Sequence, residues 1–193
     1  MKKILISIFF IIIYFFPVFV LAEIKPIVEG NKDAKIKLII FESLTCSHCG
    51  TFHKNIYPSL KEDFIDKGYV NIEFKNFPLD VAALNASKIA HCKNDGSSDI
   101  LHYLFKNQEQ WIKGNSIEEL NKSIRTFIEK SNFKINFDEC INDSSLEDYV
   151  LEDRIKGAKM YKIESTPTLI INEEKFENPL DYKKLKKYLK KMI

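Results

Sequence analysis

Three kinds of hydrophobic pattern follow one another along the chain. The first is a continuous apolar run, Ile4 to Leu21, broken only by Ser7, Tyr14 and Pro17. Lys2 and Lys3 precede it, and "VLA" at 20–22 sets small Ala22 directly before polar Glu23. A basic start, an apolar stretch and a small residue before a polar one make a secretory signal peptide over residues 1–22, with cleavage after Ala22. The run is also about as long as the shortest membrane spans, so an uncleaved anchor through residues 4–22 is the rival expectation. Position 23 is Glu and not Cys, which argues against lipoprotein processing.

Beyond this segment the pattern switches between strand and helix. "KIKLIIFES" (35–43) is a short isoleucine-rich run and reads as a buried strand, the first of the chain. The following segment spaces Phe52, Ile56, Leu60 and Phe64 by four, an amphipathic helix that Pro58 should kink or break. "YVNIEFKNFP" (69–78) alternates Val70, Ile72 and Phe74 with polar residues, a second strand. From Asp80 to about Ile163 every segment reads as helical. Asp80 is the expected N-cap of the first, Ile100, Leu101, Leu104, Phe105 and Trp111 line one face of 97–111, and "SIEE" at 116 is a capping box. Strand character returns at "TPTLIIN" (166–172), followed by a short turn and a lysine-rich helix at about 180–192. The stripe Tyr182, Leu185, Leu189 and Met192 is expected to pack on the sheet, in preference to lying on an anionic membrane. The simplest account is an α/β unit formed by 23–79 and 164–193, interrupted by an all-helical insertion at 80–163.

Composition narrows the partners. Lys and Arg number 29 against 27 Asp and Glu, a formal charge of +2 that falls to about zero once Lys2 and Lys3 are removed. A neutral chain gives no reason to expect nucleic acid. All four cysteines, Cys46, Cys49, Cys92 and Cys140, lie beyond the leader. In an oxidising compartment an even count reads as disulfides, and four cysteines allow three pairings.

The chemistry concentrates in "TCSHC" at 45–49. Cys46 stands where a strand hands over to a helix, and the unpaired N–H groups and positive dipole end of a helix favour a thiolate there. Cys49 falls one turn later, within reach of a disulfide, and His48 between them can further favour the anion. A stabilised thiolate makes the disulfide easy to reduce, which gives an oxidant of other thiols. Two other readings compete: a purely structural bridge, and a zinc site recruiting Cys46, Cys49 and His53, for which no fourth ligand is evident. His53 reads as an ordinary helix-face residue. Pro167, between Thr166 and Thr168 and just before a buried strand, is a candidate cis peptide.

"TCSHC" after a buried strand, "NFPL" at 76–79, a helical insertion and "STPTLIIN" before the last hairpin resemble the DsbA-like thiol:disulfide oxidoreductases, over about Lys35 to Met192. The resemblance implies a thioredoxin fold with an inserted helical domain and no cofactor or metal. It also implies a periplasmic, bacterial-type oxidase. Its substrates would be reduced unfolded exported proteins, its re-oxidant a membrane quinone-linked partner, and its state a monomer. By the same resemblance Cys46 is the exposed exchanging sulfur, Cys49 its buried partner, His48 the thiolate stabiliser and Thr166-Pro167 the cis-proline pair. Cys92 and Cys140 then form a second, structural disulfide. The sequence departs from many relatives in carrying Ser47 where they have proline. An acidic residue that some carry six positions before the first cysteine is Ile40 here, with Glu42 on the same strand face as a weaker candidate proton acceptor. The alternatives are an isomerase or reductase on the same fold, or a non-catalytic chaperone-like binding domain. The usual isomerase plan is disfavoured by the short stretch between Glu23 and the first expected strand.

Overall fold

The computed structural model describes residues 23–193, so the signal peptide and the anchor expected in 1–22 lie outside the described residues. A five-stranded sheet in the order β1-β3-β2-β4-β5 carries the architecture. β2 (Ile36–Glu42) runs through its centre, parallel to β3 (Val70–Asn76) and antiparallel to β4 (Thr168–Ile171). β5 (Glu174–Phe176) closes one edge.

The other edge is β1 (Ile27–Gly30), which pairs antiparallel with β3 and which the hydrophobic pattern did not reveal. The first strand therefore lies earlier than expected. Four residues with one deeply buried side chain, Ile27, offer too little alternation to read. Gly30 ends it at φ +88°, where a Cβ would also collide with the Val70 carbonyl.

Alternation along β2 sorts its side chains to two faces. Ile36, Leu38 and Ile40 enter the main core, while Phe41 joins Phe77, Ile163 and Ile170 on the opposite side. The main core is covered by the helical segment after β2. It runs as α1 (Ser47–Thr51), a π-helical turn (Phe52–Ile56), α2 (Tyr57–Leu60) and a second π-helical turn (Lys61–Ile65). Pro58 at the start of α2 has no N–H to bond the preceding turn, and the wider turn before it absorbs that loss. Widened turns also explain a stripe spaced by four: Phe52, Ile56, Leu60 and Phe64 are all buried.

Between β3 and β4 the chain is helical: α3 (Val81–His91), α4 (Asp99–Lys106), α5 (Gln108–Trp111), α6 (Ile117–Glu129), α7 (Phe137–Asn142) and α8 (Ser144–Met160). Asp80 caps α3, accepting from Ala83 N at 2.7 Å. Ser116 caps α6, accepting from Glu119 N, whereas Glu119 reaches back to Asn115 N, one residue before the position a reciprocal box uses. The expected single helix over 97–111 is broken at Asn107. α8 packs on the far face of the sheet, where Gly157 leaves room for the Phe41 ring. α9 (Tyr182–Leu189) buries Leu185 and Leu189, and Tyr182 donates to Ser59 O at 2.8 Å, so its stripe faces protein. Among the described residues no helix is long and apolar enough to cross a membrane.

Candidate active site

β2 delivers the chain to the site. After Glu42 a tight turn closes with Cys46 N bonded to Ser43 O at 3.0 Å, and Cys46, in extended conformation, becomes the N-cap of α1. Its sulfur therefore stands where the helix offers unpaired N–H groups. Two contacts from the helical insertion hold this turn. Thr45 Oγ1 donates to Asp80 Oδ2 at 2.7 Å. The side-chain amide of Gln108 donates to Leu44 O at 2.7 Å and Cys46 O at 3.1 Å. Nothing local marked Gln108; the helix break at Asn107 is what turns it toward the redox loop.

The two sulfurs are unbonded and unlike. Cys46 is half-buried and Cys49 fully enclosed. The Cys49 thiol hydrogen-bonds the Cys46 sulfur and outweighs the cost of partial burial. Help comes from Thr166 and from the backbone N–H groups of Cys49 and His48, which together lower the Cys46 thiol to about 5. Cys49 moves the opposite way: burial first, then its bond to Cys46 and, once Glu42 ionises, the charge of that carboxylate, keep it protonated far above the usual thiol range. His48 is exposed, and its main-chain N–H bonds the Cys46 sulfur.

From across the site comes the Thr166-Pro167 loop, with a cis peptide bond. Cys46 Sγ lies 3.3 Å from the main-chain Thr166 O, and the buried Thr166 hydroxyl, which has no hydrogen-bond partner in place, is near enough to Cys46 to favour its anion. Leu79 and Val81, either side of Asp80, are among the most exposed apolar side chains of the protein.

Behind the cysteines lies a group of which the sequence named only Glu42 as a candidate proton acceptor. His53 is not a helix-face residue. It is buried, stacked on Phe105 at 3.9 Å, and its Nε2 meets Glu42 Oε2 at 2.7 Å. Its Nδ1 meets His102 Nδ1 at 3.1 Å, and His102 Nε2 meets Glu29 Oε1 at 2.6 Å. Both ring nitrogens of His53 are thus hydrogen-bonded to other side chains, which leaves neither free to share a metal with the cysteines. Burial raises the Glu42 carboxyl well above the carboxylate range and lowers His53 to about 3, so the pair is held neutral. Ile40 is plain core.

Cys92, at the end of α3, is bonded to Cys140 in α7, with Cα atoms 5.4 Å apart. Neighbouring His91 is buried and shares Asn76 with Asp153, tying α3 and α8 to β3.

Comparison with known proteins agrees with this geometry. The family model described as Thioredoxin matches residues 22–191. A Rickettsia bellii protein named as a protein-disulfide oxidoreductase is 29% identical over 158 residues, covering 80% of this chain and 60% of its own length. The chain thus spans only about three-fifths of that relative. Disulfide bond formation protein D of Bacillus subtilis is 30% identical over 175 residues, covering 86% of this chain and 76% of its own. Among solved structures, alpha-DsbA1 of Wolbachia pipientis superposes with a TM-score of 0.76 at 26% identity, over 90% of this chain and 93% of its own. The chain belongs to the DsbA-like thioredoxin-fold family.

Proposed function

We propose that the protein is an exported thiol:disulfide oxidase working through Cys46 and Cys49. The asymmetry of the two sulfurs carries this reading: a thiol lowered to about 5 beside one held protonated by burial. A low-pKa Cys46 leaves readily from a mixed disulfide and stabilises the reduced form, so the pair gives up its disulfide to other thiols.

In the forward direction a substrate thiolate attacks Cys46 Sγ of the Cys46–Cys49 disulfide, and Cys49 departs as a thiolate and takes up a proton. A second substrate thiolate then displaces Cys46, leaving the substrate disulfide and the dithiol. The solvent-facing Leu79 and Val81 beside the redox loop suit an unfolded chain as substrate. Thr166 supplies main-chain polar groups for such a chain. Residues 23–79 and 164–193 carry the redox chemistry and 80–163 braces it. Cys92–Cys140 serves as the structural bridge. On this reading the segment 1–22 acts as a secretory leader, and the protein works in the periplasm as a monomer re-oxidised by a membrane quinone-linked thiol oxidase.

The test is the redox potential of the Cys46–Cys49 pair together with oxidation of a reduced, unfolded protein. An oxidase has a potential well above the ~−270 mV of a thioredoxin-type reductant. The Cys46→Ala protein should lose the oxidation. A potential in the reductant range, or activity surviving Cys46→Ala, would overturn the reading.

A further inference from the structure

Four side chains make one continuous row from behind the redox pair to the surface: Glu42, His53, His102 and Glu29. Charge fixes where each proton sits. Glu29 accepts from the Tyr57 hydroxyl at 2.5 Å and from Lys61 Nζ at 3.2 Å. Burial would raise its carboxyl, but the bonds from His102, Ser98 and Tyr57 outweigh this and keep it ionised. His102 Nε2 must then donate to Glu29, and in a neutral ring its Nδ1 accepts from His53 Nδ1–H. That leaves His53 Nε2 bare, accepting from a protonated Glu42 Oε2.

A second arrangement is equally complete. Moving the Glu42 proton to His53 Nε2, and the Nδ1 proton of His53 to His102, gives a Glu42 carboxylate and a His102 imidazolium. No heavy atom moves and every hydrogen bond survives. Glu29 sits against the imidazolium as its counter-charge, and Lys61 is held partly away from it by Asp66 at 2.8 Å. His102 meets solvent, with its side chain 24% exposed, whereas those of His53 and Glu42 are 3% exposed.

One atom in the row has no partner: Glu42 Oε1, fully enclosed. Leaving a buried carboxyl oxygen unpaired costs free energy, so its place asks for a use. Glu42 directly precedes Ser43, whose main-chain N–H bonds the Cys49 sulfur, so an ionised Glu42 acts on that thiol through its charge.

We propose that Glu42, His53 and His102 form a proton path serving Cys49, with Glu29 as the fixed counter-charge at its outer end. The path rests on the thiol exchange assigned above. When Cys49 attacks a mixed disulfide between Cys46 and a partner thiol, its S–H bond breaks and the Cys46–Cys49 bond forms. The partner sulfur leaves with the electron pair as a thiolate. The proton passes to Glu42 Oε1 through one bridging water while Oε2 releases its own proton to His53. His102 delivers the charge to solvent. Opening of the disulfide by a substrate thiolate runs the same path inward and reprotonates Cys49. His53 and His102 are positioning and relay residues; neither touches a reacting sulfur.

The experiment uses the reduced protein and oxidised glutathione, resolving formation of the Cys46–glutathione mixed disulfide from release of glutathione by Cys49. In His53→Gln and His102→Gln, release should slow by about tenfold or more. Mixed-disulfide formation and the Cys46 titration should stay as in the wild type. Added imidazole should restore release in His102→Ala, and deuterated solvent should slow release in the wild type more than in the Gln variants. If His53→Gln does not fold, His102→Gln at the rim decides alone. Release at the wild-type rate in His102→Gln, or no solvent isotope effect in the wild type, would overturn the path. A wild-type protein that forms no mixed disulfide at all would instead remove the exchange function, and the path with it.

Discussion

Gln108 and Cys46 are hydrogen-bonded at 3.1 Å across 62 positions of chain, side-chain amide to main-chain carbonyl. The same amide reaches Leu44 O, so one residue of the helical insertion holds two carbonyls of the redox turn, beside the Thr45–Asp80 bond. Gln108→Leu leaves both carbonyls without this donor, and the loss of a buried partner costs about 1–3 kcal/mol. Denaturant unfolding should show that loss, and amide exchange at residues 44–46 should quicken more than elsewhere. Uniform protection across the turn would show that Gln108 does not brace it.

The thiolate of Cys46 should be visible in its ultraviolet absorbance on titration of the reduced protein, with a midpoint near 5. Thr166→Val removes one hydroxyl that stabilises the anion. The midpoint should move upward in that variant. An unmoved midpoint would take Thr166 out of the set of thiolate-stabilising groups.

Redox state should couple to stability in a pH-dependent way. The Cys46 pKa is depressed on folding, so below neutrality the unfolded dithiol binds more protons than the folded one. The stability that the thiolate contributes is lost as pH falls through about 5 and grows as pH rises toward the ordinary thiol range. Above that range Cys49, whose pKa is raised, works in the opposite direction. Unfolding curves of reduced and oxidised protein should therefore diverge with rising pH in favour of the reduced form, then stop diverging. Parallel curves would mean that Cys46 is an ordinary thiol.

The Cys92–Cys140 bridge closes a sequence separation of 48 residues inside the insertion. On chain-entropy grounds, the double substitution Cys92→Ala/Cys140→Ala should cost on the order of 4 kcal/mol. Chemical denaturation measures it, with the Cys46 titration as the control that should stay fixed. A loss well under 1 kcal/mol, or free thiols at both positions under non-reducing mass mapping, would assign the stability elsewhere.

What the sequence made legible is what lies close together along the chain. Cys46 and Cys49 share one turn, and their place after an apolar strand is visible within a dozen letters. The caps at Asp80 and Ser116 are equally local. His53 was unreadable for the opposite reason: its partners come from β2, from α4 and, at the far end of the row, from β1. No periodicity links Glu42, His102 and Glu29, and β1 itself was too short to register. Gln108 depends on a helix break whose cause is tertiary, since 97–111 carries an unbroken apolar face.

Full enclosure of Cys49 gives the redox pair a single covalent address. A reagent or protein that reacts with the native dithiol can mark only Cys46, so any trapped adduct has one stoichiometry and one site. It also has one direction of approach, set by the mouth between the start of α1 and the Thr166-Pro167 loop. In the exchange proposed here, a partner is selected by whether its sulfur can be presented at that opening, which a flexible chain can do with almost any sequence around its cysteine.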